Sequence, residues 1–215
     1  MESEGLESWS CFLIQKGWKG FSIGRNEQKM GQRASSATEL IFDKVFVPIT
    51  HIIGKLREGW AINRAVLNFS RIPVGAISLG IARGAMDAAI DFCCTKKLAQ
   101  KELIHYQDVQ LCLAEMLLLT SSMRAMIWQS ANSWTPTQTK ASMTKVFCSD
   151  TSVKVCEMAM ELLGNHGFFH RNYVEKGYRD ARLTQIYEGT NQINRLSIIE
   201  DQMEYFINRL PFENK

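Results

Sequence analysis

Three short stretches carry residue types that could do chemistry. The first is Tyr187-Glu188-Gly189-Thr190, a glutamate just ahead of a glycine and a threonine. Threonine is a favoured N-cap, so a helix should begin beside it. A carboxylate on a glycine-hinged turn before a helix can point into a cleft and take a proton from a carbon acid. The same placement also suits a glutamate that only complements the helix dipole, and spacing alone leaves both readings open. The second stretch, Gly164-Asn165-His166-Gly167, could hold a phosphate or a cofactor edge, or simply form a tight turn. The third is the pair His166 and His170, four residues apart. No helical pattern or partner carboxylate supports it, and no metal site is expected.

The six cysteines, Cys11, Cys93, Cys94, Cys112, Cys148 and Cys156, form no CxxC pair. Cys112, Cys148 and Cys156 lie in helix-like apolar runs and read as reduced core thiols. With 46% apolar and 22% charged residues, the 215-residue chain has ordinary globular composition, which excludes disorder. Its 25 basic and 22 acidic residues are too balanced for a nucleic-acid binder. No uninterrupted apolar run reaches the length of a membrane span, so no spanning helix is expected. The start, Met1-Glu2-Ser3-Glu4, has neither a secretory nor an Arg-rich transit pattern. The expected compartment is the cytoplasm, or the mitochondrial matrix if the source is eukaryotic.

The elements that must position these residues fall into two parts. Cys11–Ile14, Phe21–Gly24, Glu39–Asp43 and Val45–Pro48 are short β-type runs with turn punctuation. Such a small sheet leaves open edges, so residues 1–53 read as part of a β domain. From about Glu58 the pattern becomes helical, with Pro73 expected to mark a kink or a helix start. Apolar residues three and four apart predict a helix over 107–133, and Lys140 to Leu163 predicts another, capped by Gly164. Residues 164–180 read as a loop, and Thr184 to Arg209 as a last helix. The expected fold is mainly α, an antiparallel bundle of four to five long helices over residues 54–215, preceded by a short partial β segment.

The segment Tyr187-Glu188-Gly189-Thr190-Asn191-Gln192-Ile193-Asn194-Arg195, preceded by Arg179-Asp180-Ala181, resembles the C-terminal signature of the acyl-CoA dehydrogenases. Other blocks fall in the family's order. Lys29 to Ser35, Glu39 to Asp43 and Val45 to Pro48 resemble the end of its β domain. Gly54 to Gly59, Arg71 and Gly80-Ile81-Ala82 resemble the opening of its C-terminal helical domain. Gln107 to Gln110 with Leu113 to Met116 resembles its second long helix.

The resemblance implies a flavoprotein of fatty acid metabolism that uses FAD to dehydrogenate an acyl-CoA across its α,β bond. Glu188 matches the base that removes the α-proton. In a second subgroup the base sits on the helix around Ser70-Arg71, where this chain has Ser70 and no acid, so both positions point to Glu188. Arg71 matches a basic residue lining the site; a structural ion pair is its other reading. Tyr187 and Gly189 fall at the substrate. Thr190, Gln192 and Gln107 match FAD contacts, some of which reach a neighbouring subunit, implying a homo-tetramer or dimer. Lys96 stands where the family has an arginine forked onto the FAD pyrophosphate, and Ala99-Gln100 replace its Phe-Gly. Glu161 and Gly164 fall where the family has a Gln and the start of a Gly-Gly run; a carboxylate there would repel a phosphate. The expected electron acceptor is a partner such as an electron-transfer flavoprotein, and an oxidase remains an alternative. The family's N-terminal half has no counterpart here. The second reading is therefore a non-catalytic helical oligomerisation module, or a split-enzyme half that needs a separate N-terminal chain for flavin binding.

Overall fold

The computed structural model describes residues 5, 8–132 and 135–208. The chain forms two compact units, Met1–Leu67 and Asn68–Lys215.

In the first unit β1 (Cys11–Phe12) pairs antiparallel with β4 (Ile52–Ile53). Likewise β2 (Phe21–Asn26) pairs with β3 (Thr38–Phe42), with a register shift between Ile23 and Asn26. The Phe21 and Phe42 rings stack across that pair at 5.1 Å. These ribbons stay two-stranded and leave Leu40, Ile41 and Phe42 exposed, as expected of an incomplete sheet. Val45–Pro48 is not a strand: it runs extended without a ladder into a short 3-10 turn at Ile49–His51.

Helix α1 (Gly59–Thr95) starts in the first unit and continues through the second. Pro73 neither starts nor ends it. The residue is exposed while Arg71, Ile72 and Val74 are buried, so the missing backbone donor falls on the solvent side of the helix. Gly84 is required by a close approach: a Cβ there would come within 2.7 Å of the Tyr173 ring.

After α1, β5 (Lys97–Leu98) and β6 (Lys101–Glu102) form a hairpin. Its two turn residues, Ala99 and Gln100, both take positive φ, 49° and 67°, a geometry that asparagine and glycine normally supply. Then come α2 (Gln107–Ala131) and α3 (Gln138–Leu163). Thr137 caps α3 by accepting from the Lys140 amide at 3.3 Å, and Gly164 ends it at φ 55°. Position 133, the expected end of α2, lies outside the described residues.

The stretch expected as a loop is structured. Gly164–Phe168 is a 3-10 turn, and α4 (Tyr173–Thr184) follows, capped by Asn172. Buried Val174, Gly177, Ala181 and Thr184 supply the helical spacing that the Gly, His and aromatic composition masked. The last helix, α5 (Asn191–Asn208), starts later than Thr184 because residues 185–190 form a turn; Arg209 lies outside the described residues.

Within the second unit α3 is the central element, packed against α2, α4 and α5. The core joins Ala82, Ala85, Met86 and Ala89 of α1 to Met116 and Met123 of α2 and Val155, Cys156 and Ala159 of α3. Both α1 and α2 contain an 18-residue window of spanning-helix hydropathy, 1.4 and 1.3, although neither is an uninterrupted apolar run. Only 33% and 22% of those windows are buried in the bundle. All six cysteines are free; burial pushes the Cys148 and Cys156 thiols up to about 12, which leaves them inert.

Candidate active site

Glu188 sits on the turn between α4 and α5 with φ 57°, followed by Gly189 at φ 85°. Two consecutive left-handed residues reverse the chain tightly, and for a non-glycine this costs roughly 1–2 kcal/mol. The surroundings hold that conformation. Arg71 Nε of α1 donates to the Glu188 carbonyl at 3.4 Å. Lys145 Nζ of α3 and Asn194 Nδ2 of α5 each donate to the Gly189 carbonyl at 2.8 Å. Thr190 Oγ1 accepts from the Ile193 amide at 3.3 Å, so Thr190 is the cap that its residue type predicts.

The Glu188 side chain meets α1. Ser70 Oγ donates to Glu188 Oε2 at 2.5 Å, a short charge-assisted bond that orients the carboxylate. Arg71 is buried, 5% exposed, and its Nη1 donates to Ser142 Oγ of α3 at 2.9 Å. Burial pulls the Arg71 guanidinium below its ordinary value, and the nearby Glu188 charge opposes that shift. Arg71 is therefore not an exposed ion pair: it ties α1 to both α3 and the glutamate turn.

Lys145 is completely buried and also donates to Asn191 Oδ1 at 2.7 Å. Asn191 Nδ2 donates in turn to Ser149 Oγ at 2.8 Å and to Asp150 Oδ1 at 2.7 Å. Desolvation lowers Lys145 to about 8; Asp150 and Glu188 resist the shift, and Arg71 and Arg195 add to it.

Of the residues singled out in the sequence, the structure brings together Arg71, Glu188 and Gly189, with Tyr187 half-buried beside them in the chain. Thr190 and Gln192 are exposed at the start of α5, lining a cavity of 260 Å³ with Arg182, Arg195 and Asp150. Lys96, Gln107, Glu161 and Gly164 do not join them. They lie at the end of α1, the start of α2 and the end of α3. At a helix rise of ~1.5 Å per residue, Gly164 lies ~33 Å from Ser142, the partner of Arg71, and ~21 Å from Asp150, which lies beside Thr190 and Gln192. The histidines are separate as well. His166 packs between Phe92, at 5.4 Å, and Phe169, at 6.1 Å, while His170 pairs with Glu175 at 3.1 Å.

Sequence reasoning missed Ser70 as a partner of the glutamate, and it missed Ser142, Lys145 and Asn194 altogether. A usable signal existed for Lys145. It lies on a helix face of small residues, Ala141, Ser142, Cys148 and Ser149, where a lysine has no reason to sit unless it is paired.

The two groups fit the FAD implied by the resemblance unequally. Thr190 and Gln192 present an exposed helix start beside Arg182 and Arg195, although Asp150, in the same lining, already pairs with Arg195. The other group fits poorly. Glu157 and Glu161 both line an apolar depression of 340 Å³ with Met160, Gly164, Phe168 and Tyr178. Lys96 meanwhile lies over the Phe92 ring at 5.8 Å.

The fold and site thus define a helical-bundle domain that presents one carboxylate on a left-handed turn, braced by a buried arginine and a buried lysine. Residues 57–203 match the acyl-CoA dehydrogenase C-terminal domain. The chain is 36% identical over 199 residues to the short-chain specific acyl-CoA dehydrogenase of Clostridium acetobutylicum, covering 91% of this chain and 52% of that protein. It superposes on butyryl-CoA dehydrogenase from Megasphaera elsdenii with a TM-score of 0.91 at 30% identity, covering 94% of this chain and 54% of that one. A chain in the Acidaminococcus fermentans structure described as that of an electron transferring flavoprotein gives the same TM-score, 0.91, at 33% identity, covering 94% and 54%. The chain belongs to the acyl-CoA dehydrogenase family and spans about half the length of the curated relatives it matches.

Proposed function

We propose that the chain is the base-bearing part of an acyl-CoA dehydrogenase, with Glu188 removing the α-proton of an acyl-CoA. The observation that carries this reading is the Glu188 carboxylate fixed by Ser70 at 2.5 Å on a turn whose carbonyls are held by Arg71 and Lys145. An oriented, part-buried carboxylate is what a general base for a carbon acid requires. Arg71 adds positive charge where negative charge develops as the proton leaves. FAD, when bound, supplies the hydride acceptor. Thr190 and Gln192, beside Asp150, would hold it in this chain, while Lys96, Gln107, Glu161 and Gly164, of which the last two lie ~16–21 Å further along α3, would reach the cofactor of a neighbouring copy. That separation supports a homo-oligomer. The re-oxidising partner on this reading is an electron-transfer flavoprotein, and the compartment is cytoplasmic or the mitochondrial matrix.

The acid-rimmed depression at Glu157 and Glu161 favours one second reading, a helical module that pairs with another chain without flavin chemistry of its own. A single complementation experiment separates the two. The chain is mixed with a separately expressed N-terminal half of a full-length relative, and flavin absorbance and its bleaching by butyryl-CoA are followed. The dehydrogenase reading expects bound flavin and bleaching that Glu188→Gln slows by about 10²-fold or more. Loss of less than about tenfold removes Glu188 as the base. Failure of every reconstitution gives the module reading.

A further inference from the structure

We propose that Lys145 is a positioning residue for Glu188: its buried ammonium grips the Gly189 carbonyl and the Asn191 side chain and so fixes the left-handed turn that aims the carboxylate at Ser70. This inference rests on reading Glu188 as the base.

A lysine with no exposure is rare without a purpose, because its charge must be compensated. Lys145 lies in the middle of α3, the element packed against α2, α4 and α5, so its Cα is fixed by the core. The two groups it bonds lie on either side of Thr190: Gly189, which ends the turn, and Asn191, which starts α5. One ammonium therefore ties the turn and the helix start to the same rigid point. Asn191 is locked in turn by Ser149 and Asp150, both on α3. On the other side of the turn Arg71 holds the Glu188 carbonyl and Ser142 of α3. The Glu188–Gly189 reversal is thus clamped at consecutive carbonyls by two cations that both refer back to α3.

A fixed anchor of this kind restricts the base without touching the substrate. The charged groups facing the Lys145 ammonium are Asp150, Glu188, Arg71 and Arg195. Because Lys145 is held near neutral pH by burial, its charge falls away above about pH 8, and the grip weakens there.

The test uses the chain itself and does not depend on turnover, so it stands or falls apart from the identity of the base. Backbone amide NMR follows Gly189 and Thr190, and carboxyl ¹³C NMR follows Glu188, in the wild-type chain and in Lys145→Met. Methionine keeps length and removes the charge. In a variant that retains its helical circular dichroism, the Gly189 and Thr190 resonances should move and their exchange should quicken by about tenfold. The Glu188 carboxyl carbon should shift too, since the turn that carries it is no longer held. Unchanged resonances and exchange in the folded variant overturn the proposal. If Lys145→Met does not fold, Asn191→Ala, which removes one of the two acceptors, decides: quickened exchange at Gly189 and Thr190 in the folded variant supports the grip, and unchanged exchange overturns it.

Discussion

Ser70 shows how one hydroxyl changes the reading of a site. As a residue type it is only the absence of an acid at an alternative base position, and on that reading Ser70→Ala should be nearly silent. In the structure its Oγ is the donor that orients Glu188, at 2.5 Å. Removing a hydrogen bond to a charged group costs about 1.5–3 kcal/mol, so Ser70→Ala should lower the turnover of a reconstituted enzyme by about tenfold or more. Ser70→Thr keeps the hydroxyl and should restore the rate. A silent Ser70→Ala would mean that the bond does not orient the base. Glu188 was singled out in the sequence through the family resemblance of its Tyr-Glu-Gly-Thr segment, since spacing alone left two readings open. Ser70, Ser142 and Lys145 were not legible, because each lies dozens of residues away and meets the turn only through packing.

Long elements with consistent periodicity were read correctly, and those where composition and pattern conflict were not. α2 and α3 declared themselves through apolar residues at helical spacing, and Gly164 ends α3 as its type predicts. Pro73 does not start a helix, because its cost depends on which side of the helix it faces, a tertiary fact. α4 was hidden because Gly177 and its flanking polar residues read as loop, while its stability comes from a charged brace that single-residue propensities do not contain. In that brace Glu175, in the first turn, takes Arg179 at 2.8 and 3.1 Å and His170 at 3.1 Å. The Arg179 hydrogen bonds, ahead of the opposing cost of burial, hold the Glu175 carboxyl down to about 2. The folded state thus binds fewer protons than the unfolded chain between that value and the ordinary glutamate range. The stability Glu175 contributes is full above about pH 4.5 and is lost as pH falls toward 2. Glu175→Gln should cost about 1–2 kcal/mol at pH 7 by urea unfolding and should flatten that acid dependence. An unchanged slope between pH 4.5 and 2 would assign the acid sensitivity to another carboxylate.

At the scale of the molecule, the chain keeps a helical bundle whose core is complete but whose outer faces are not. Leu111, Leu118 and Trp128 on α2 and Ile193, Leu196, Ile199 and Met203 on α5 are all large, apolar and exposed. On α2 the three stand seven and ten residues apart, and on α5 the spacing is three, three and four, so each set forms a stripe along one side of its helix. Isolated exposed leucines need no explanation, but stripes of this length on two helices are more than a soluble monomer usually presents. The fold offers no further element of its own to cover them among the described residues. Thr190 and Gln192, the residues read as cofactor contacts, lie beside the α5 stripe, so assembly and cofactor binding would share a helix. The chain should therefore self-associate, and multi-angle light scattering at micromolar concentration should return a dimer or tetramer. Leu196→Glu and Leu118→Glu place a charge on each stripe while leaving the buried core untouched, so each should shift the mass toward monomer without reducing helical circular dichroism. If the wild-type chain runs as a clean monomer and neither charge changes its mass or solubility, the stripes are not an assembly surface. The neighbouring-copy role of Lys96, Gln107, Glu161 and Gly164 then fails with them, because that role needs a second copy.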